Sequence, residues 1–192
     1  MIDFSALAVP GVRSLSPYQP GKPIEELQRE LGLSDVVKLA SNENPLGLPG
    51  TARRAIEAAL PSLSLYPDGS AFALKQKLAQ KLSVDTAQVT VGNGSNELLE
   101  LLARVFLAPG CNAVVSRYAF IVYPLVVNAL GAELRVADAP EYGHDLERML
   151  ALVNDQTRMV FIANPNNPTG NWLSADAIES FLARVPSHVV VV

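Results

Sequence analysis

A single cysteine, Cys111, stands among 192 residues, which excludes an internal disulfide and, with no second thiol or His beside it, leaves a thiolate metal site without ligands. It is expected to be a small, partly buried residue at a strand edge. Basic residues are also sparse: fifteen Lys and Arg against nineteen Asp and Glu, a net charge of −4, with no clustered run. No nucleic-acid footprint is therefore expected. The longest apolar stretch, 118–132, is interrupted by Pro124 and Asn128 and falls short of the roughly eighteen residues that a membrane helix needs. The opening residues have no cationic start and carry Asp3, unlike a signal peptide, so a reducing, cytoplasmic setting is expected. The two histidines, His144 and His188, lie in neither metal-ligand spacing nor a Ser or Cys nucleophile pattern, and neither is given a catalytic role.

What is present is a globular composition, 49% apolar and 18% charged, long enough to bury a core and to form one large domain with appendages. Pro10, Pro17, Pro20 and Pro23 with Gly11 and Gly21 suggest an extended arm. A short helix interrupts it, with Pro23 in its first turn, Ile24, Leu27 and Leu31 at helical spacing and Gly32 as its stop. A short strand is expected over 36–40. Surface helices are expected over 51–60 and, capped by Ser70, to Leu82 with Leu74, Leu78 and Leu82 in one stripe. From Gln88 onward strands near 88–92, 112–117, 132–137, 158–163 and 188–192 alternate with helices near 95–107, 119–130, 145–153 and 174–184, the second kinked or late at Pro124. That order predicts an α/β fold, a mainly parallel sheet flanked by helices. The domains are placed at 1–50, an N-terminal arm and small-domain segment, and 51–192, the first part of a large domain. The closing residues His188-Val189-Val190-Val191-Val192 look like a buried strand cut short, and the expectation is that the chain is the first part of a larger enzyme.

Two segments invite a ligand. Val89-Thr90-Val91-Gly92-Asn93-Gly94-Ser95-Asn96-Glu97-Leu98 reads as a strand turning through two glycines into a helix opened by Ser95. Free first-turn amides and the helix dipole would suit a phosphate, and Gly94 would permit close approach. It is neither a dinucleotide fingerprint nor a Walker loop, and an ordinary strand-to-helix turn with a Ser cap would look the same. The second, Phe161-Ile162-Ala163-Asn164-Pro165-Asn166-Asn167-Pro168-Thr169-Gly170, lies at the carboxyl end of a buried strand. Each Pro stiffens the residue before it, so two Asn side chains would be held in fixed directions to orient a ligand, unless Asn and Pro serve only the turn. Tyr66-Pro67-Asp68-Gly69 alone reads as a β-turn, and Arg117-Tyr118-Ala119-Phe120-Ile121-Val122-Tyr123 alone as core packing, although its rings could stack on a ligand.

Taken in order, these pieces resemble the fold type I, pyridoxal-phosphate-dependent aminotransferases of the aspartate aminotransferase superfamily. The resemblance also takes in Pro17-Tyr18-Gln19-Pro20-Gly21-Lys22-Pro23 and Lys38-Leu39-Ala40-Ser41-Asn42-Glu43-Asn44-Pro45; Asn164-Pro165-Asn166-Asn167-Pro168-Thr169-Gly170 marks the superfamily, and Asn42-Glu43-Asn44-Pro45 with Tyr66-Pro67-Asp68 narrows it to the histidinol-phosphate aminotransferases. The resemblance implies pyridoxal 5′-phosphate held by the amides of Ser95 and Asn96 with Gly94 permitting approach. It places Phe120 on the pyridine face, where the family often has Tyr, and Asn167 on the phenolic oxygen. It also implies that Tyr66 reaches the phosphate of a neighbouring subunit in a homodimer with shared sites, and that Asn42, Glu43 and Asn44 line the substrate entrance. The implied reaction exchanges an amino group between histidinol phosphate or glutamate and the partner 2-oxo acid. The family's pyridine-nitrogen Asp and cofactor-bearing Lys are expected beyond Val192. Lys22, Lys38, Lys75, Lys77 and Lys81 have no such context, so no catalytic residue is assigned and the chain as written is expected not to transaminate. An aromatic amino-acid aminotransferase, a threonine-phosphate decarboxylase and a non-catalytic cofactor-binding or dimerisation module remain alternatives.

Overall fold

The computed structural model describes residues 4–16 and 21–192. The Pro17-Tyr18-Gln19-Pro20 part of the arm motif lies outside the described residues. In chain order the helices are α1 (Phe4–Leu7), α2 (Pro10–Arg13), α3 (Ile24–Leu31), α4 (Gly50–Ala59), α5 (Phe72–Leu82), α6 (Gly94–Phe106), α7 (Val122–Ala129), α8 (Leu146–Ala151) and α9 (Ala175–Leu182). The strands are β1 (Asn112–Ser116), β2 (Glu133–Ala137), β3 (Thr157–Val160) and β4 (Val190–Val191). They form one four-stranded sheet in the order β2-β1-β3-β4, every pair parallel. The chain divides into two compact units. One joins the described residues up to Ser16 to Val91–Val192, and the other holds the described residues between them, to Thr90.

The sheet unit carries the core. Because side chains alternate across a strand, Ala113, Val115, Met159 and Phe161 face one apolar cluster with Leu99, Ala103, Tyr123 and Val127 of α6 and α7. Val114 and Val160 face a second, with Met149 of α8 and Phe181 of α9. Helices thus cover both faces, as a parallel sheet requires. Pro124 falls in the first turn of α7, where its missing N–H costs nothing, so the helix starts late at Val122. Asp145 and Ser174 cap α8 and α9, accepting from Arg148 N and Ala177 N at 3.0 and 3.2 Å.

Several expectations are corrected. No strand forms at 88–92: Asp85 and Gln88 close a reciprocal capping box around a 3₁₀ turn, Thr86–Gln88, and Val89 is extended but unpaired. No strand forms at 36–40 either, where Val37 and Leu39 are exposed; a β-branched run needs a neighbouring strand and a face to bury. The arm is partly helical rather than extended. Pro10 presets the first turn of α2, and Gly11 lies so close to the end of α7 that a Cβ there would sit 2.2 Å from the Asn128 carbonyl oxygen. In the other unit Asp68, not Ser70, opens α5: its carboxylate accepts from Ser70 N, Ser70 Oγ and Phe72 N at 2.9, 2.7 and 2.9 Å. Leu74 and Leu82 of the apolar stripe are exposed, and Ala79 is the residue of α5 that is buried.

At the amino end of the sheet, buried Asn112 and Thr157 tie β1 to β3. Thr157 Oγ1 donates to Asn112 Oδ1 at 2.7 Å, and Asn112 Nδ2 donates to Asn154 Oδ1 at 2.9 Å. Asn112→Ala strips partners from a buried hydroxyl and a carboxamide, and should destabilise the chain by about 1–3 kcal/mol. The check is a lower urea midpoint with an unchanged m-value.

Candidate functional site

Parallel strands bring the carboxyl ends of β1 and β3 to one end of the sheet, where open α/β sheets bind ligands. From β1 the chain continues into 117–121 with Phe120, and from β3 into 161–170 with Asn167. α6 leads through residues 107–111 to the opposite end of β1 and packs along the sheet by Leu99 and Ala103, so its first turn also lies at this end. Gly94, Ser95, Asn96, Phe120 and Asn167 are therefore gathered on one unit, at one end of one sheet. Leu99, Phe120 and Ala163 border the same apolar cluster.

The first turn of α6 differs in detail from its sequence reading. The helix begins at Gly94, not Ser95; Asn93 is the N-cap residue and makes no side-chain cap. Glu97 instead reaches back one turn. Its Oε2 accepts from Asn93 N at 2.6 Å, and its carboxylate also takes Asn93 Nδ2 at 3.2 and 3.3 Å. These bonds, the backbone one foremost, hold the Glu97 carboxyl below the usual carboxylate range against a smaller desolvation effect. Ser95 and Asn96 are exposed, and as first-turn residues their N–H groups have no partner within the helix. None of the described residues accepts from them. Gly94 has φ +79°, a conformation that side chains rarely adopt, and a Cβ on it would meet nothing within 4 Å. The glycine is required by backbone conformation, and the space before it is open.

Both lowered carboxyls imply the same pH response. A group with a depressed folded pKa contributes stability that is present above its unfolded pKa and is lost as pH falls through its folded value. Asp68, held down first by the Ser70 hydroxyl and then by the Phe72 and Ser70 amides, obeys the same sign. The starts of α5 and α6 should loosen only on acidification below the ordinary carboxylate range. In an NMR titration the Asn93 amide shift should follow Glu97, and Glu97→Gln should abolish that dependence.

Phe120 is half-buried. It meets Tyr123 edge-on at 5.7 Å and 86°, and Tyr123 stacks on Phe161 at 4.7 Å and 17°. The ring expected to stack on a ligand is thus seated on Tyr123, itself backed by Phe161, and burial pushes the Tyr123 phenol up, so it stays neutral.

In the 164–170 loop the three asparagines have separate tasks. Asn164 makes a two-bond clamp with Leu173, donating to its carbonyl at 3.1 Å and accepting its N–H at 2.8 Å. Asn166 is buried, and its Nδ2 donates to Tyr118 O at 3.0 Å and Thr169 Oγ1 at 2.8 Å. The intermediate Asn167 carboxamide makes no hydrogen bond to the described residues. His144 Nε2 lies 2.9 Å from the Ala163 carbonyl oxygen at the stem of the loop. Asn166 and Glu97 are the contributors that sequence reasoning did not single out. The Asn-Pro run marked the loop, but nothing in its spacing says which Asn turns inward.

The other named residues belong to the second unit. Tyr66 is fully exposed. Asn42 is exposed with φ +52°, Glu43 pairs with Lys38 at 2.7 Å, and the Asn44 carboxamide is engaged in its own turn with Leu46 N and Gly47 O at 3.0 and 3.2 Å.

Comparison with known proteins agrees with this architecture. Residues 34–192 match the family described as aminotransferase class I and II. The chain is 61% identical, over 100% of its length and 53% of the relative's, to histidinol-phosphate aminotransferase 2 of Pseudomonas aeruginosa. It is 55% identical, over 94% of its length and 50% of the relative's, to histidinol-phosphate aminotransferase 1 of Mannheimia succiniciproducens. It spans about half the length of the curated relatives it matches. Among solved structures it superposes on a Sinorhizobium meliloti histidinol-phosphate aminotransferase in complex with pyridoxal-5′-phosphate with TM-score 0.84 and 27% identity, over 95% of this chain and 48% of that one. A Thermus thermophilus aspartate aminotransferase mutant at 23% identity shares the fold, with TM-score 0.80 over 95% and 51% of the two chains. A parallel sheet with its free helix-start amides, ring and unpaired carboxamide at one end, and a family match along most of its length, make this chain a member of the class I and II aminotransferases.

Proposed function

We propose that the chain supplies the cofactor-holding face of a pyridoxal 5′-phosphate-dependent histidinol-phosphate aminotransferase, with histidinol phosphate and 2-oxoglutarate as the substrate pair and imidazole acetol phosphate and glutamate as products. The observation that carries this reading is the gathering of Ser95, Asn96, Phe120 and Asn167 at one end of one sheet. The identity to named histidinol-phosphate aminotransferases supports the substrate.

The residues present fit the group. Two unengaged amides at the positive end of a 13-residue helix suit a phosphate, and Glu97 does not occupy them because its carboxylate oxygens accept from Asn93. Phe120 offers an aromatic face backed by Tyr123. Asn167 retains both its donor and its acceptor, and its Nδ2 would donate to the phenolic oxygen and favour the ionised form. When bound, the cofactor supplies an electron sink for amino-group exchange. The chain's own work is to bind the phosphate, orient the ring and hold the charge on that oxygen.

The exposure of Tyr66, 101%, with that of Leu39 at 93% and Leu46 at 92%, supports a homodimer in which Tyr66 reaches the cofactor phosphate of a second copy. Asn42, Glu43 and Asn44 are assigned to the substrate entrance. One cysteine without a partner and no helix among the described residues long and apolar enough to cross a membrane are compatible with a cytoplasmic setting, which we include in the proposal. The test is steady-state transamination by the enzyme that carries this sequence, with histidinol phosphate and phenylalanine as competing donors. Histidinol phosphate should be preferred at least about tenfold in kcat/KM, about 1.4 kcal/mol of differential binding; a preference for phenylalanine would overturn the substrate assignment.

A further inference from the structure

Of the three asparagines in the 164–170 loop, Asn166 is the one whose side chain bonds to the loop after β1 among the described residues. Its side chain is 4% exposed. Its Nδ2 donates both to Thr169 Oγ1 within the loop, at 2.8 Å, and to the Tyr118 carbonyl in the neighbouring loop after β1, at 3.0 Å. Its main chain closes the loop on itself, with Asn166 N donating to Asn171 O at 2.7 Å and Gly170 N to Asn166 O at 2.8 Å. Tyr118 lies two residues before Phe120, and Asn166 is adjacent to Asn167, so one carboxamide spans the two segments that carry the ring and the free amide.

The remaining atom of that carboxamide shows what its orientation favours. Asn166 Oδ1 is buried and has no hydrogen-bond partner, a state that native structures rarely tolerate. Turning the amide over would give Thr169 an acceptor for its hydroxyl proton, but would set Oδ1 against the Tyr118 carbonyl oxygen, which can only accept. The observed orientation keeps the inter-loop bond and leaves an oxygen unpaired.

We infer that Asn166 is a positioning residue that fixes the Phe120 ring relative to the Asn167 carboxamide. The inference rests on the proposed cofactor reading for its purpose but not for its geometry. Asn166 touches no reacting atom in this assignment. Its bond to Tyr118 O sets the gap between the two groups that would sandwich and orient a pyridine ring, while the phosphate amides of α6 lie outside its reach of bonds.

The experiment uses the 192-residue chain with two probes, pyridoxal 5′-phosphate and inorganic phosphate, and amide hydrogen exchange as a readout without ligand. In Asn166→Ala, exchange at Tyr118–Phe120 and at Asn167–Gly170 should quicken together by about tenfold or more, with β2 and α8 unchanged. Pyridoxal 5′-phosphate should bind about tenfold or more weakly, because the ring and the carboxamide that hold it are no longer preorganised, while inorganic phosphate binds as before. Thr169→Val, which removes one acceptor and leaves the rest of the loop, should move the same readouts in the same direction, and Thr169→Ser should restore them. These two variants decide the matter if Asn166→Ala fails to fold. Quickened exchange in one loop only, or equal weakening of the two probes, would overturn the inference. If the unaltered chain binds neither probe, the cofactor reading falls, and the paired exchange response alone then upholds or refutes the coupling of the loops.

Discussion

Replacing Phe161 by alanine should cost the chain about 3–5 kcal/mol, the range for removing a large aromatic side chain from a packed core. Phe161 is fully buried and among the largest fully buried side chains. It stacks on Tyr123 at 4.7 Å and sits where β3 hands the chain to the 164–170 loop, its N–H still paired with Val114 O at 3.0 Å. The loss combines transfer of the ring, the cavity left between α6, α7 and the sheet, and the aromatic contact. Against a typical domain stability of about 5–15 kcal/mol, the variant should be folded only marginally. Phe161→Leu, which fills more of the space, should lose clearly less. Urea unfolding followed by circular dichroism measures both, and a loss below about 1 kcal/mol for the alanine variant would show that this cluster is not the core of the sheet unit.

Valine in place of Gly94 should weaken binding of pyridoxal 5′-phosphate by about tenfold or more, with little loss of global stability. A Cβ at this position meets nothing within 4 Å; the cost is conformational. At φ +79° an L residue loses roughly 1–2 kcal/mol, and a β-branched one more. The chain can relieve that strain by rotating the first turn of α6, which turns the Ser95 and Asn96 amides away from a common anion. Since about 1.4 kcal/mol is a factor of ten in affinity, the loss should appear mainly in binding. Gly94→Asn, which tolerates the left-handed region better, should fall between. Equal affinity in all three would mean that these amides do not hold the phosphate.

The alternation of β-branched runs with helical spacing was enough to place β1, β2, β3 and β4 and the four helices that interleave with and precede them, because their apolar faces repeat on both sides of a buried sheet. The run at 88–92 has the same local texture and forms no strand, since pairing depends on a neighbour and a face to bury, neither of which is written locally. The first turn of α6 was legible as a place but not in detail: Ser95 has the chemistry of a cap, yet Glu97 has the reach to bind Asn93 N from four residues away. In the 164–170 loop the composition marks a stiff, amide-rich connection. Which amide is inward is settled by the Tyr118 carbonyl 48 positions earlier in the chain, a long-range contact that no spacing within the motif encodes.

A titration of the isotopically labelled chain with pyridoxal 5′-phosphate, followed by the backbone amide resonances of Ser95 and Asn96 together with the side-chain amide of Asn167, reports on both ends of the bound molecule at once. All three should shift along one saturable curve with a single dissociation constant, and inorganic phosphate should move the two backbone resonances alone. Separate curves, or a shift at one end without the other, would contradict a shared ligand between α6 and the 164–170 loop.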